Sequence, residues 1–246
     1  MISKGTIRYI KSLQLKKYRK KAQSFLVEGT KSVLELLKAP FELTHLVATE
    51  SFIRQNEQTL AKLVDRIHVV TEKQLNGMSS LKTNDKVLAV AKCLPNEPFK
   101  VGEKEYVIAL DQIRDPGNLG AIIRTADWYG ITKIICSLDC ADLYHPKVIH
   151  ASMGSFIRVK VYYTELPQFI GSGFNVYGAT LNGENVHSIR FKDSGVLIIG
   201  NETRGISASL KPIISQEISV PRLGGAESLN ASIATAVICD NIFREL

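Results

Sequence analysis

Three segments in the C-terminal half of this 246-residue chain share one layout, an apolar run followed by a turn rich in Gly, Asn and charged residues. In "YVIALDQIRDPGNLGAIIRT" (106–125), Asp115 can cap a helix that has Pro116 at its first position. Gly117, Gly120 and Arg124 then fall at i, i+3 and i+7, on one helical face. The two glycines leave bare backbone beside a guanidinium, so a bulky group can approach closely. Asn118 lies about 120° around an ideal helix from Arg124, so the two side chains can serve different partners. In "LIIGNETRGIS" (197–207), Gly200 ends an apolar run and Asn201 and Glu202 fill the turn, a pair able to hold hydroxyl or amino groups. An ordinary Asx turn is the plain alternative. In "SVPRLGGAESLNASIATAV" (219–237), Gly224-Gly225 makes a loose loop, and Ser228 and Asn230 are natural N-caps. Backbone N–H groups at that terminus can also meet a ligand.

These turns are not a known nucleotide loop. "GNLG" is not G-x-G-x-x-G, no acidic residue stands at the ribose-binding distance, and no Walker lysine motif is present, so dehydrogenase and P-loop readings fail. Cys136 and Cys140 are four apart, but no second pair or His cluster completes a zinc set, so no metal is expected. Cys93, Cys136, Cys140 and Cys239 read as free thiols in a reducing, cytoplasmic setting. His145, His150 and His187 would be the default bases of an enzyme. Nothing in the three segments places one at a site, and they read as structural.

The elements that position the turns follow from pattern. "YVIALD" (106–111), "KIIC" (133–136), "FNVYGAT" (174–180), "GVLIIG" (195–200) and "EISVP" (217–221) read as strands, with helices over 122–129 and 230–246. Near-continuous apolar strands alternating with helices predict an α/β fold with a parallel sheet, where ligands bind at the carboxyl ends of strands. The first half reads as a smaller α/β domain: helices over 29–38, 56–64 and 72–78, strands over 44–49, 66–71 and 86–93. The Pro- and Gly-containing "LPNEPFKVGEK" (94–104) breaks the pattern. The expected organisation is 1–97, a linker at 98–104, and 105–246.

Hydrophobic residues make up 45% and charged residues 22%, ordinary globular values, and no apolar run is long enough to span a membrane. The net charge of +7 favours a polyanionic partner. Residues 1–27 contain no Asp or Glu and carry Lys4, Arg8, Lys11, Lys16, Lys17, Arg19, Lys20 and Lys21. A transit peptide is one explanation, since those are basic and acid-poor. An RNA-contacting arm, with Lys16, Lys17, Arg19, Lys20 and Lys21 at its centre, fits better, because structured sequence follows at once. Tyr9, Tyr18 and Phe25 interleave with the arm and can stack on unpaired bases or pack inward.

Taken in order and at their spacing, "DPGNLGAIIRTA", "GNETRGI" and "VPRLGGAESLNASIA" resemble the three motifs of the TrmH/SpoU-type branch of the SPOUT RNA 2′-O-ribose methyltransferases. "IKSLQLKKYRKKAQSFLVEGTKSVLELL" resembles the start of that family's substrate-binding domain, whose fold is like ribosomal protein L30e. Arg222 stands where Met is common and Ala231 where Val is common. The resemblance implies a C-terminal α/β-knot domain with a deep trefoil knot, S-adenosylmethionine as methyl donor, and a homodimer. It also implies roles. Gly200, Val220 and Leu229, with Asn201, Thr180 and Leu181, would hold the methyl donor. Arg124, Asn118, Glu202, Ser228 and Asn230 match the family's polar active-site positions. Asn118 and Ser228 would orient ribose or phosphate, while Glu202 and Asn230 hold loops together. Arg124 is either a clamp on the target's phosphate or, from the partner subunit, a helper in deprotonating the hydroxyl. The expected substrate is ribosomal RNA, large subunit first, with transfer RNA as the alternative. A non-catalytic RNA-binding protein is the competing reading, disfavoured because every polar motif residue is present.

Overall fold

The computed structural model describes residues 2–81, 84, 86–171 and 173–244. The chain begins with α1 (Lys4–Ser12), α2 (Lys16–Ala22), β1 (Ser24–Glu28), α3 (Thr30–Leu36), β2 (Leu43–Ala48), α4 (Glu50–Gln55), α5 (Glu57–Leu60), β3 (Ile67–Val69), α6 (Glu72–Asn76) and β4 (Val87–Lys92). It continues through β5 (Tyr106–Leu110), α7 (Pro116–Trp128), β6 (Lys133–Cys136), α8 (Pro146–Ala151), β7 (Lys160–Tyr163), α9 (Leu166–Ile170), β8 (Val176–Asn185), β9 (Gly195–Ile199), β10 (Gln216–Ser219) and α10 (Ala231–Ile242). Glu245 and Leu246, the expected end of the last helix, lie outside the described residues. Among those described, no helix is long and apolar enough to cross a membrane.

Two compact units result, one comprising 1–95 with 144–157, the other 96–143 with 158–246. The first is a four-stranded sheet in the order β1-β4-β2-β3, with only β2 and β3 parallel. One face packs Leu26, Val47, Leu88 and Val90 against Ile10 of α1, Leu13 at its C-cap and Leu75 of α6. The other face needs a cover too, because strand side chains alternate. Phe25 supplies the reason for the excursion of 144–157 into this unit: its ring lies 4.5 Å from Tyr144 and 6.0 Å from Phe156. His145 and His150, considered as bases, therefore belong to this unit, His145 capping α8 through its ring nitrogen.

The basic arm is two helices. Ser3 caps α1, accepting from the Thr6 N–H at 3.0 Å. Lys16, Lys17, Lys20 and Lys21 are exposed on α2, but Arg19 is only 2% exposed. Its Nη1 donates to the carbonyls of Leu13 and Gln14, closing the α1–α2 turn. This corrects the expectation that Arg19 meets RNA: its guanidinium is occupied in satisfying buried carbonyls.

The second unit is a six-stranded, all-parallel sheet in the order β10-β8-β9-β5-β6-β7. Chain order steps outward from β5 to β6 and β7, then crosses to β8 and returns to β9. The carboxyl ends of β5 and β9 thus flank a switch point, where α/β sheets open a crevice. Helix α7 begins at Pro116 as the Asp115 cap predicts, Asp115 accepting from the Asn118 N–H at 2.9 Å, and so extends the 122–129 helical stretch six residues toward its N-terminus. Helices α7 and α10 pack on each other. Strand β8 runs five residues beyond expectation. Its register with β10 jumps, Glu217 facing Gly178 and Ile218 facing Glu184, so residues 179–183 bow out between. The expected linker at 98–104 is not a free tether. Phe99 packs on Tyr162 and Phe169, and just ahead of it the Asn96 amide exchanges two 2.9 Å hydrogen bonds with the Tyr163 backbone.

His45 and His68 stack in the first unit with centroids 5.4 Å apart, and burial lowers both below the ordinary imidazole value of 6.5. The unfolded chain then binds more protons than the folded one between the lowered values and 6.5, so stability is fully present above 6.5 and lost as pH falls. Calorimetric scans should show a lower Tm at pH 5 than at pH 7.5, with a shallower slope for the His45→Gln/His68→Gln double variant. Parallel slopes for variant and wild type would contradict this account.

Candidate active site

The carboxyl ends of β8, β9 and β10 and the loops that follow them enclose a cavity of about 680 Å³, within the range of small-molecule sites. Thr180 and Leu181 line it from the bowed segment of β8, Gly200, Asn201 and Glu202 from the β9 turn, and Val220, Ser228 and Leu229 from the loop before α10. The six residues expected to hold a methyl donor are thus together. Of the five polar active-site candidates, Glu202 and Ser228 line the cavity. Asn118 and Asn230 stand behind Glu202, and Arg124 is exposed on α7.

Asn118 joins the three turns. Its Nδ2 donates to Glu202 Oε1 at 2.5 Å, and its Oδ1 accepts from Asn230 Nδ2 at 2.8 Å. Asn230 in turn caps α10, its Oδ1 accepting from the Ser232 N–H at 2.9 Å. Asn201 shapes the β9 turn as an Asx turn: its Oδ1 accepts from the N–H groups of Thr203 and Arg204, and its Nδ2 donates to the Gln112 carbonyl at 3.0 Å. The turn closes through paired backbone hydrogen bonds between Asn201 and Gly205, which sits at φ +67°.

The end of β5 supplies anchors that motif spacing did not reveal. Asp111 is buried, and its carboxylate accepts from the Ser207 N–H at 2.7 Å. Gln112 adopts φ +58°, a conformation a non-glycine residue holds only when its surroundings over-determine it. Here the Gln112 N–H donates to Ser137 Oγ at 2.9 Å and its Nε2 to Ser207 Oγ at 3.3 Å. An acid and an amide directly after an apolar strand were the available signal. Cys140, in the loop after β6, donates to the Leu110 carbonyl and accepts from the Ile113 N–H. The hydrogen bond with Cys136, and those from Ser137 and the Ile113 N–H, hold its thiol below the ordinary value against the opposing effect of burial, while burial raises Cys136. Cys140 thus braces the β5 end from behind.

Gly200 is required by close approach. A Cβ there would lie 2.4 Å from the Gly205 carbonyl carbon and 2.5 Å from the Ile206 nitrogen, both backbone.

Comparison with known proteins identifies the arrangement. Residues 105–240 match the SpoU rRNA Methylase family, and residues 4–89 match the MRM3-like substrate binding domain. The chain belongs to the SpoU methylase family. It is 32% identical over 234 residues to the 23S rRNA (guanosine(2553)-2′-O)-methyltransferase RlmP of Bacillus subtilis, covering 93% of this chain and 92% of that one. An AdoMet-bound rRNA methyltransferase from Sinorhizobium meliloti superposes with a TM-score of 0.89 at 30% identity, over 100% of this chain and 97% of that one. The SpoU methyltransferase AviRb of Streptomyces viridochromogenes, 23% identical over 99% and 98% of the two chains with a TM-score of 0.85, shares the fold. The substrate-binding match falls within the first unit, while the methylase match covers most of the sheet unit together with residues 144–157 of the first.

Gly200→Ala should lower unfolding free energy by about 2 kcal/mol or more, because the facing backbone at Gly205 and Ile206 must move. Gly178→Ala should cost less, since its closest contact, at 2.7 Å, is the flexible Ile214 Cδ1. Urea titration of both variants measures this, and equal effects would contradict it.

Proposed function

We propose that this chain transfers a methyl group from S-adenosylmethionine to a ribose 2′-hydroxyl of large-subunit ribosomal RNA, acting as a homodimer. The observation that carries the reading is the amide chain Asn230–Asn118–Glu202, which fixes the wall of a cavity lined by all six donor-site candidates. The cavity fits the donor's chemistry. Ile199, Ile206, Leu229 and Ile238 give it apolar walls for a purine, and Glu202 and Glu217 offer acceptors for hydroxyl and cationic groups. Names of the relatives support ribosomal RNA: RlmP acts on 23S rRNA, and so does the 23S rRNA (uridine(2479)-2′-O)-methyltransferase of Streptomyces viridochromogenes, 31% identical over 149 residues. The exposed Lys16, Lys17, Lys20 and Lys21 give the substrate-binding unit phosphate contacts.

When bound, S-adenosylmethionine supplies an electrophilic sulfonium methyl. The protein's task is alignment, which can account for several kcal/mol of barrier reduction. Gly200, Val220 and Leu229 present backbone to the donor, while Asn118 and Asn230 hold Glu202 in place. Ser228 is exposed at the cavity mouth and orients the incoming ribose. Arg124 has no side-chain partner among the described residues, so its guanidinium is free for a phosphate, bidentate, or for the reacting hydroxyl. It lies one turn before Trp128, which is 83% exposed, and α10, packed beside α7, exposes 53% of Ile233. An exposed apolar surface on these helices supports a subunit interface that carries Arg124 to the partner's cavity. The deep trefoil knot belongs to the same proposal, with the segment from β10 through 221–230 to α10 as the threaded part.

Arg124→Ala should abolish methylation while leaving S-adenosylhomocysteine affinity, measured by calorimetry, within about twofold. Loss of both together would contradict the separation of roles. Mixing Arg124→Ala with Ser228→Ala protein should restore part of the activity, since some mixed dimers then hold one intact site. No restoration would refute action in trans. Mapping 2′-O-methyl groups in cellular RNA with and without the gene tests the substrate: one large-subunit position should disappear, and an unchanged map would overturn the proposal.

A further inference from the structure

At the amino ends of the parallel strands, opposite the candidate active site, the sheet unit carries a second cavity of about 610 Å³. Its floor is aromatic. Phe191 meets Tyr177 edge-on at 5.0 Å, Tyr177 lies beside Tyr106 at 6.4 Å, Tyr106 meets Phe243 at 5.6 Å, and Phe243 stacks on Tyr129 at 5.8 Å. Phe191 and Phe243 are the part-exposed rings that line the cavity.

The rim is cationic. Lys104, Arg190 and Lys192 are exposed and have no ion-pair partner among the described residues, whereas Arg244 is paired with Asp240 at 3.1 Å. Of the two acids at the cavity among the described residues, Glu105 is neutralised by Lys133 at 2.6 Å, leaving Asp193 against three cations without a described ion-pair partner. Lys192 is held in position through its backbone. The Tyr106 hydroxyl donates to the Lys192 carbonyl at 2.6 Å, and the Lys192 N–H donates to the Tyr177 hydroxyl at 3.2 Å. Residues 186–193 are also fastened to α10, since the His187 ring is hydrogen-bonded to Asn241 at 2.9 Å. None of these residues takes part in the candidate active site.

Unpaired cations around part-exposed ring faces are the chemistry that binds an unpaired nucleic-acid strand, phosphates on the rim and a base on the rings. An apolar protein surface would leave three cations uncompensated. A small free anion would be better served by converging buried donors than by an exposed rim. We propose that this cavity is a second RNA contact, taking a single-stranded nucleotide of the substrate remote from the methylated ribose. The proposal rests on the chain being an RNA enzyme.

The test uses the full-length protein, an in vitro transcript of large-subunit rRNA, and filter binding over a salt series. Arg190→Glu/Lys192→Glu should weaken RNA binding at least tenfold at low salt and flatten the dependence of log K on log salt by one to two, about one for each lost phosphate contact. Affinity for S-adenosylhomocysteine should not change. Phe191→Ala should weaken RNA binding about tenfold with little change in salt slope. Wild-type affinity and slope in the charge-reversed variant would overturn the proposal. So would its dissociation to monomers, which would make this surface a subunit contact. Failure of the wild-type protein to bind the transcript at all would instead count against the proposed function. Should the charge reversal not fold, photo-cross-linking of 4-thiouridine-labelled transcript to wild-type protein decides: adducts within 186–193 or 241–244 support the site, and their absence refutes it.

Discussion

One side-chain amide carries the architecture of the candidate site. Asn118 on α7 gives its N–H₂ to Glu202 in the β9 turn and its carbonyl to Asn230 at the start of α10. A carboxamide suits both bonds because it carries its donor and its acceptor on two separate atoms at the end of one short side chain. A hydrogen bond to a carboxylate contributes about 1.5–3 kcal/mol and a neutral one about 1 kcal/mol, so the junction is a substantial part of what fixes these loops. Around it, the Asn201 Asx turn and the Asp111 and Gln112 anchors leave the β9 turn little freedom. By contrast, residues 221–230 are exposed throughout, and Gly224 and Gly225 have open space where a Cβ would be. The cavity therefore has two braced walls and one loose one, an arrangement suited to admitting a ligand from the side of the loose wall.

Much of this was legible locally and little of it globally. The Asp115 cap, the glycine-rich turns and the apolar parallel strands are written in neighbouring residues, since caps and turns depend on φ, ψ and side-chain reach over three or four positions. The amide chain is not, because its partners lie 84 and 112 residues from Asn118. Asn118 was expected to orient substrate, yet both its polar atoms are used within the protein. Arg19 shows the same blindness. Within a run of lysines its charge suggested a phosphate contact, whereas the α1–α2 turn buries it against two carbonyls.

The excursion of 144–157 into the first unit was equally hidden. Its cause is the need to cover Phe25 on the second face of a small sheet, a demand visible only once the strands are paired. The six residues that the family resemblance singled out for the methyl donor all line one cavity, because those positions are defined by strand ends and turns.

Exchanging donor and acceptor tests most directly whether the Asn118–Glu202 bond shapes the candidate cavity. Asn118→Asp places a carboxylate against Glu202, and S-adenosylhomocysteine affinity by calorimetry should fall about tenfold or more, equivalent to about 1.4 kcal/mol. In the Asn118→Asp/Glu202→Gln double variant, the amide introduced at position 202 donates to the carboxylate introduced at position 118. Asn230 still donates to that same carboxylate, so most of the lost affinity should return. A double variant no better than the product of the two single losses would contradict the account.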